Sequence, residues 1–313
     1  MNKVSVVIPL YNKSNHILDT LNCAFSQSFQ DFEIVIVDDG STDDGLQKVK
    51  ALNHPKITLY TIKNQGVSYA RNYGIQKANT GLIAFLDADD SWSVNHLQQL
   101  VDLHSNFPNC GLYATAYAGK KHGKIIESQF QNIPNTPWTG LVDDYFKSST
   151  VNCIAWTSAV MLPKSILSQY NGFDERITMG AGEDTDLWMR VALDHPIAFN
   201  NQVSAFHHLD SDNRITNSKT NLRRFIDLDV YEARAKTNSS LKHYLDLNRF
   251  SIALQYKQAG NNQAAQNLID KLDYNNLNSK QKWLLKLNGY SLRTLSQLKE
   301  KLHKSGINLS SFR

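Results

Sequence analysis

The chain has 313 residues, 41% of them hydrophobic and 20% charged, which is the composition of an ordinary globular protein. Its three cysteines are odd in number and far apart, which argues against a disulfide framework or a paired-cysteine metal site and favours a reducing, cytoplasmic compartment. No run approaches the ~20 apolar residues that span a bilayer, and the run before Pro9 is too short for a signal peptide, so we expect a soluble or peripheral protein.

The first 90 residues alternate between short apolar runs and helical patterns. Four apolar runs predict buried strands, and between them apolar residues recur at helical spacing. This alternation predicts an α/β fold, with a mostly parallel, Rossmann-like sheet flanked by helices on both faces. The strand segments are VSVVIPL (4–10), FEIVIVDDGS (32–41), KITLYTIK (56–63) and GLIAFLDADD (81–90).

Polar residues follow three of these strands at the point where each strand ends. They lie at 9–12, 38–41 and 87–90. In open α/β sheets, ligands bind outside the carboxyl ends of the strands. We therefore expect these residues to surround a ligand pocket.

The segment after the fourth strand concentrates carboxylates. Asp87 and Asp89 supply hard oxygen ligands that suit Mg²⁺ or Mn²⁺, and such an ion can clamp a diphosphate. The structural alternative is a helix cap, in which Asp90 or Ser91 caps a helix that begins at Trp92. Both interpretations can hold, with different residues.

Two further segments suit a nucleotide. A carboxylate after the second strand, such as Asp39, can accept a hydrogen bond from a ribose or a base, although the segment taken alone favours a simple turn. Gly66 and Ser68 can start a helix whose free N–H groups face an anion, and Arg71 on its first turns can reach a phosphate. The alternative for Arg71 is a solvated position on an amphipathic helix.

Two later motifs complete the chemistry. Glu183 and Asp184 open a predicted helix, either as a general base beside the metal site or as acids that favour the helix dipole. His207 and His208 are candidate metal ligands, with a purely structural role as the alternative.

The order and spacing of these motifs resemble the family 2 glycosyltransferases of the GT-A fold, the large inverting bacterial group. The resemblance covers roughly residues 1 to 215. It rests on VSVVIPLYNK, VIVDDGSTD, NQGVSYARNYG, FLDADD and GEDTDLWMR, in that order.

The resemblance implies an inverting, metal-dependent transfer from a nucleotide sugar, with UDP as the expected nucleotide. Asp184 would be the base, with Glu183 beside it. Mn²⁺ or Mg²⁺ would bind Asp89, with His207 or His208 completing the metal or diphosphate site. The donor would contact a wider set: Pro9, Tyr11 and Asn12 in the nucleotide pocket, Asp39 at the uracil edge, Asn64 and Arg71 by the nucleotide and diphosphate, and Asp87 and Ala88 by the ribose or sugar.

The last third of the chain differs in charge and pattern. Residues 219–313 hold 17 Lys or Arg against 7 Asp or Glu, whereas residues 1–218 hold 16 against 22. We therefore expect a catalytic domain over 1–218 and a basic helical region over 219–313. That region would bind anionic lipid at the inner face of the cytoplasmic membrane, or else form a solvated bundle or a dimer surface. Its aromatic residues have helix-core spacing, so we expect no nucleic-acid partner.

The expected acceptor is a hydroxyl of a glycan or lipid-linked molecule, as in cell-envelope polysaccharide synthesis. Two alternative functions stay open. A nucleotidyltransferase acting on a sugar phosphate also uses carboxylates and Mg²⁺, but PLYNKSN lacks the glycine-rich loop expected after its first strand. A non-catalytic nucleotide-sugar or glycan binding module would not need both the carboxylate pair and Asp184.

Overall fold

The computed structural model describes residues 3–214 and 218–304. The strands of these residues are β1 (Val4–Leu10), β2 (Phe32–Asp38), β3 (Ile57–Thr61), β4 (Leu82–Phe85), β5 (Ser91–Trp92), β6 (Leu112–Lys121), β7 (Lys124–Glu127), β8 (Thr139–Leu141), β9 (Val160–Pro163) and β10 (Ile197–His208).

The α-helices of the described residues alternate with these strands and then fill the C-terminal region. They are α1 (Ile17–Phe25), α2 (Gly45–Leu52), α3 (Val67–Lys77), α4 (His96–Asn106), α5 (Tyr145–Ser148), α6 (Lys164–Gln169), α7 (Glu183–Ala192), α8 (Glu232–Ala235), α9 (Ser239–Gln258), α10 (Asn262–Ile269), α11 (Ser279–Lys286) and α12 (Gly289–Lys304).

All the described strands belong to one sheet, in the order β3-β2-β1-β4-β9-β6-β10-β5, with β7 on β6 and β8 on β10. The first four strands of the chain pair in parallel, as the sequence predicts, and β6 pairs in parallel with β10. β9 runs antiparallel between β4 and β6, and β5, β7 and β8 also pair antiparallel. The α/β class is confirmed, and the later strands make the sheet mixed.

The central strands of the sheet are buried on both faces, which explains why they are mostly apolar. Along β1, Val7 faces one apolar cluster, while Val6 and Ile8 face another. Successive side chains of a strand point to opposite faces, so a run that is buried on both sides needs no polar alternation. Helices α1, α2 and α4 cover one face, and α3, α5, α7 and α9 cover the other.

Helix α3 lies very close to β1. A Cβ added at Gly74 would stand 2.4 Å from Val7 Cγ1, so this approach requires glycine. The first turn of α3 then lies beside the end of β2, where Asp39 accepts hydrogen bonds from the backbone N–H groups of Gln65 and Gly66.

The C-terminal region shares a core with the sheet domain. Leu241 and Tyr244 on α9 belong to the same apolar cluster as Trp188 on α7 and Phe199 on β10. A further cluster, around Phe250, joins α9 to α10 and α11. The predicted boundary at 218/219 therefore marks a change of charge and pattern, while the core crosses it.

Across the two described stretches of chain, no helix is both long enough and apolar enough to span a bilayer.

Candidate active site

Asn12 joins the loops that follow β1 and β2. Its Oδ1 accepts the backbone N–H groups of Thr42, at 2.7 Å, and Asp43, at 3.3 Å. Its backbone is left-handed, with φ of 51°, which Asn tolerates better than most residues. Tyr11 beside it is 47% exposed, and Pro9 is half-buried in β1. These three expected nucleotide contacts therefore lie at the carboxyl end of β1.

Asp39 closes the N-terminal end of α3. Its two carboxylate oxygens lie 2.7 Å from the N–H of Gln65 and 2.9 Å from that of Gly66. Burial raises the pKa of Asp39, and these two hydrogen bonds oppose the rise. Asn64 donates its Nδ2 to the Asp39 carbonyl at 3.0 Å. Asp39 and Asn64, the two expected nucleotide ligands, therefore also stabilise the loops in which they lie.

Arg71 lies inside the protein, only 4% exposed, so the solvated alternative is wrong. Its Nη2 lies 2.7 Å from Asp87 Oδ1, and its Nη1 lies 3.4 Å from Glu183 Oε1. The guanidinium also stands over the ring of Phe173 at 5.2 Å. Burial opposes its charge, but Asp87 and Glu183 outweigh burial and raise the pKa of Arg71. Arg71 therefore ties the end of β4 to the start of α7.

Asp89 carries two short contacts on one oxygen. Its Oδ2 lies 2.6 Å from Lys13 Nζ and 2.6 Å from Ser211 Oγ. Burial disfavours the ionised form, yet Lys13 and these hydrogen bonds outweigh burial and lower the pKa of Asp89. Ala88, before it, is buried with 3% exposure, so only its backbone is available to a ligand.

Asp90, the third acid of this turn, is buried and forms hydrogen bonds within the protein. Its Oδ2 accepts from Ser158 Oγ at 2.6 Å, and its Oδ1 accepts from the backbone N–H of His208 at 3.3 Å. Burial, followed by the charges of Asp87 and Asp89, raises its pKa well above the ordinary value. The raised pKa of Asp90 weakens the repulsion among the three acids of this turn.

The helix-cap alternative for this turn is wrong. Ser91 and Trp92 form β5, which pairs antiparallel with β10. The next helix, α4, begins at His96, with Asn95 as its N-cap residue.

The two histidines at the end of β10 have different surroundings. The ring of His207 stacks on Trp156, with centroids 5.1 Å apart, and its Nε2 lies 3.1 Å from Arg214 Nη2. Burial, followed by Arg214, lowers the pKa of His207 to about 4. His208 Nε2 lies 2.8 Å from Ser91 Oγ, and burial lowers its pKa as well. A neutral imidazole is the form that binds metals.

Glu183 and Asp184 divide into a buried and an accessible acid. Glu183 is 5% exposed, and its Oε2 has no hydrogen-bond partner among the described residues. Burial, followed by the charge of Asp184, raises the pKa of Glu183 to about 7. Asp184 is half-buried, and its Oδ2 has only a 3.4 Å contact with Thr157 Oγ1, while Oδ1 accepts the N–H of Thr185 at 2.7 Å. Asp184 is thus the acid with an oxygen available to a substrate.

The site fits a divalent ion that is held partly by a substrate. Within the described residues, no three His, Cys, Asp or Glu side chains form a complete metal cage. Mg²⁺ in particular is usually held by one or two carboxylates together with phosphates and water. Asp89 offers an ionised carboxylate and His207 a neutral imidazole, although Lys13 and Arg214 contact these groups here.

A cavity of about 230 Å³ opens beside His207. Tyr117, one of its walls, packs against Trp156 with centroids 4.9 Å apart. The other residues that line this cavity carry hydroxyl, amide, carboxylate or apolar groups. They are Gly119, Ile126, Glu127, Ser128, Val151, Asn152 and Leu209. A larger cavity of about 610 Å³ is lined by residues that include Asn72 of α3, Arg190 of α7 and Tyr231.

Sequence reasoning did not identify Lys13, Ser158 or Ser211 as parts of this site. The position of Lys13 is consistent with this role in the sequence, because Lys13 follows β1 at the edge of the sheet where the carboxylates lie. Ser158 and Ser211 stand in no local pattern that predicts a contact with Asp90 or Asp89.

Comparison with known proteins gives one family. The model of the Glycosyl transferase family 2 matches residues 5–163, about half of the chain. A protein of Rickettsia bellii named only as an uncharacterized glycosyltransferase is 34% identical over 193 residues, which are 61% of this chain and 26% of that protein. The putative teichuronic acid biosynthesis glycosyltransferase TuaG of Bacillus subtilis is 30% identical over 154 residues, or 48% of this chain and 60% of TuaG. The chain spans about a quarter to a third of the length of the Rickettsia relatives.

Solved structures share the fold. TarS 1–349 of S. aureus in complex with UDP-GlcNAc has a TM-score of 0.56 at 18% identity, over 83% of this chain and 72% of TarS. The mannosyltransferase PcManGT of Pyrobaculum calidifontis, in complex with GDP-Man and Mn²⁺, has a TM-score of 0.57 at 16% identity. The match covers 86% of this chain and 74% of the PcManGT chain.

Proposed function

Because the chain belongs to glycosyl transferase family 2, we propose that it moves a sugar, with inversion, from a nucleotide-sugar donor to a hydroxyl of a glycan or lipid-linked acceptor. The family and the GT-A fold, both predicted from the sequence, are confirmed by the family model and the solved structures. One observation carries the rest: Arg71 links Asp87 on the donor side to Glu183, which stands next to Asp184. This link supports a single site in which Asp87 contacts the donor and Asp184 is the base.

The donor would occupy the carboxyl ends of β1, β2 and β4. Asp39 would accept from a base N–H, and Asn12 and Tyr11 would line the same pocket. Asp87 would accept from a ribose or sugar hydroxyl. TarS was solved with UDP-GlcNAc and PcManGT with GDP-Man, so both nucleotides are candidates, and the uracil assignment stays our proposal.

A divalent ion, Mn²⁺ or Mg²⁺, would be held by Asp89 together with His207 or His208. Such an ion supplies positive charge to a departing diphosphate. The lowered pKa of Asp89 keeps its carboxylate ionised, which supports this role. The stacking on Trp156 and the neutral ring favour His207 over His208.

Asp184 would act as the general base. The acceptor oxygen forms its bond to the anomeric carbon while the bond from that carbon to the diphosphate oxygen breaks. The hydroxyl proton passes to Asp184 Oδ2, and the nucleoside diphosphate leaves with the electron pair. Base assistance of this kind contributes ~10²–10⁴-fold to the rate. Glu183, buried and paired with Arg71, would hold the start of α7 in place.

The acceptor would enter through the cavity beside His207. Tyr117 would offer an aromatic ring to a sugar, and Glu127 and Asn152 would bind its hydroxyl groups. The name of TuaG, a putative teichuronic acid biosynthesis glycosyltransferase, supports a cell-envelope polysaccharide as the acceptor class. The cytoplasmic location expected from the sequence remains a prediction.

Thermal shift with a panel of nucleotides and nucleotide sugars, in Mn²⁺, Mg²⁺ and EDTA, tests the donor site, since a ligand at 100 times its Kd adds ~2.7 kcal/mol. Release of nucleoside diphosphate from the best donor distinguishes this function from a nucleotidyltransferase, which releases pyrophosphate. An absence of any turnover, with donor binding intact, would leave the binding-module alternative.

With that donor, Asp184→Asn should lose at least ~10²-fold in kcat while its thermal shift with donor is kept. Asp102→Asn, the same change at an exposed position on α4, serves as the control. Normal turnover in Asp184→Asn would remove Asp184 from the role of base.

A further inference from the structure

A segment of the C-terminal region, residues 224–231, runs beside the loop that leads into α7. The backbone N–H of Thr178 donates to the Arg224 carbonyl at 3.1 Å, and the backbone N–H of Arg224 donates to Thr178 Oγ1 at 3.0 Å. Closer to the helix, the backbone N–H of Ile226 donates to the Ala181 carbonyl at 3.1 Å. These hydrogen bonds join the segment to the loop up to the residue that precedes the helix N-cap.

The same segment packs on the N-terminal end of α7. Gly182, the N-cap residue, has a φ of 105°, in the left-handed region that favours glycine. A Cβ at this position would stand 3.0 Å from Ile226 Cγ2, so the side chain of Ile226 lies directly against the backbone at which the helix begins. Ile226 is itself buried, with 7% exposure. The start of α7 therefore has little room to shift towards the segment.

Tyr231, at the end of the segment, holds the first turn of α7 by a side-chain hydrogen bond. Its hydroxyl donates to Asp186 Oδ1 at 2.5 Å, and Arg190 Nε donates to Asp186 Oδ2 at 2.8 Å. Tyr231 and Asp186 are 5% and 8% exposed, so water does not readily replace either partner. Each carboxylate oxygen of Asp186 is thus held by a named group.

Asp184 depends on these contacts because its own side chain is weakly held. Residues two apart on a helix point to different sides, so Asp186 binds the C-terminal region while Asp184 lies on another side of the turn. Asp184 Oδ2 has only the 3.4 Å contact with Thr157, and Oδ1 bonds to the N–H of the next residue, Thr185. The position of Asp184 is therefore set mainly by the backbone of the first turn of α7.

From these contacts, we propose that Tyr231 and Ile226 are positioning residues, which hold α7 so that Asp184 Oδ2 meets the acceptor hydroxyl. This role rests on the proposed function, in which Asp184 is the general base. It gives the C-terminal region a part in the reaction that is separate from binding a substrate. A displacement of about 1 Å in a catalytic group can cost ~10²-fold in rate, so the loss of one bond behind the helix should be visible in turnover.

The test is Tyr231→Phe, which removes one hydroxyl and keeps the ring. We expect kcat to fall ~10–10²-fold while the thermal shift with donor is kept, because the base moves and the donor groups stay. Tyr170→Phe is the matched control, since the Tyr170 hydroxyl donates to Asp194 Oδ2 at 3.0 Å, beyond the C-terminal end of α7. Its kcat should be unchanged. Normal kcat in Tyr231→Phe, or an equal loss in both variants, would overturn the proposal.

A double variant separates positioning from general damage to the fold. In Asp184→Asn there is no base left to position, so adding Tyr231→Phe should cause no further loss of kcat. The same fold-loss with and without Asp184 would overturn the proposal. Thr178→Val removes the acceptor of the Arg224 N–H and should give the same pattern with a smaller loss. It replaces Tyr231→Phe if melting curves show that the latter does not fold.

Hydrogen exchange gives a readout that does not need activity. The backbone N–H of Asp186 bonds to the Gly182 carbonyl at 2.9 Å, in the turn that Tyr231 holds. We expect residues 182–187 to exchange faster in Tyr231→Phe and at the normal rate in Tyr170→Phe. Unchanged exchange in Tyr231→Phe would also overturn the inference, whereas failure of the proposed function is seen separately, as the absence of transfer by the unmodified chain.

Discussion

Arg71 gives the sharpest test of how the site is held together. We expect Arg71→Met to destabilise the protein by ~3–5 kcal/mol at pH 8, the cost of removing one partner of a buried ion pair. Most of this cost comes from Glu183, whose side chain is 7% exposed, because Asp87, at 29%, can recover hydration. Glu183 can also avoid an unpaired buried charge by taking up a proton, since burial raises its pKa to about 7. The loss should therefore be smaller at pH 6.

The assay is urea unfolding, with the midpoint and slope compared between variants. Arg176→Met is the matched control: Arg176 pairs with Asp174 at 2.8 Å but is 74% exposed, so its loss should cost ~0–1 kcal/mol. Adding Glu183→Gln to Arg71→Met should recover most of the lost stability, because no unpaired buried charge remains. Equal losses in the two arginine variants, or no recovery in the double variant, would refute the reasoning.

Two further predictions concern charged groups at the site. Burial raises the pKa of Glu183 from 4.5 to about 7, so between these pH values the folded state binds a proton that the unfolded state has lost. The free energy of unfolding should therefore fall as pH rises through this range. In Glu183→Gln, the urea midpoint should fall less steeply over the same pH range. Lys13→Met frees Asp89 Oδ2 from its ammonium, so Mn²⁺ should bind the nucleotide-free chain about tenfold more tightly, as loss of a charged hydrogen bond predicts. Mn²⁺ titration by electron paramagnetic resonance checks this, with Lys48→Met, whose partner Asp44 is exposed, as the control; an unchanged affinity in Lys13→Met would mean that Lys13 does not compete for the site.

The rim of the site is predictable from the sequence for a geometric reason. Parallel strands align their carboxyl ends at one edge, so the acids after β2 and β4 must lie near one another, wherever the helices pack. Asp39 and Asp89 follow β2 and β4, which both pair in parallel with β1. The helix after β3 and the helix that carries Asp184 were also predicted, because a glycine precedes each helix and acids occupy the first turn of the second.

The partners of Arg71 and Asp89 are not predictable in the same way. Buried residues lie on more than one side of α3, so its sequence does not divide into a polar and an apolar face. The sequence alone therefore does not indicate whether Arg71 lies in solvent or in the core. Glu183 is separated from Arg71 by 112 residues, and Ser211 from Asp89 by 122. Contacts over such separations depend on tertiary packing, which no local pattern encodes.

The core that crosses the 218/219 boundary restricts how this protein can be divided or recombined. Truncation there would strip Leu241 and Tyr244 from the cluster that supports α7 and expose the apolar side of the sheet domain. α9 belongs to two clusters at once, the first around Trp188 and the second around Phe250. Chimaeras between relatives should therefore keep the sheet domain and the helices through α11 together, because a junction on either side of α9 divides one of these two clusters.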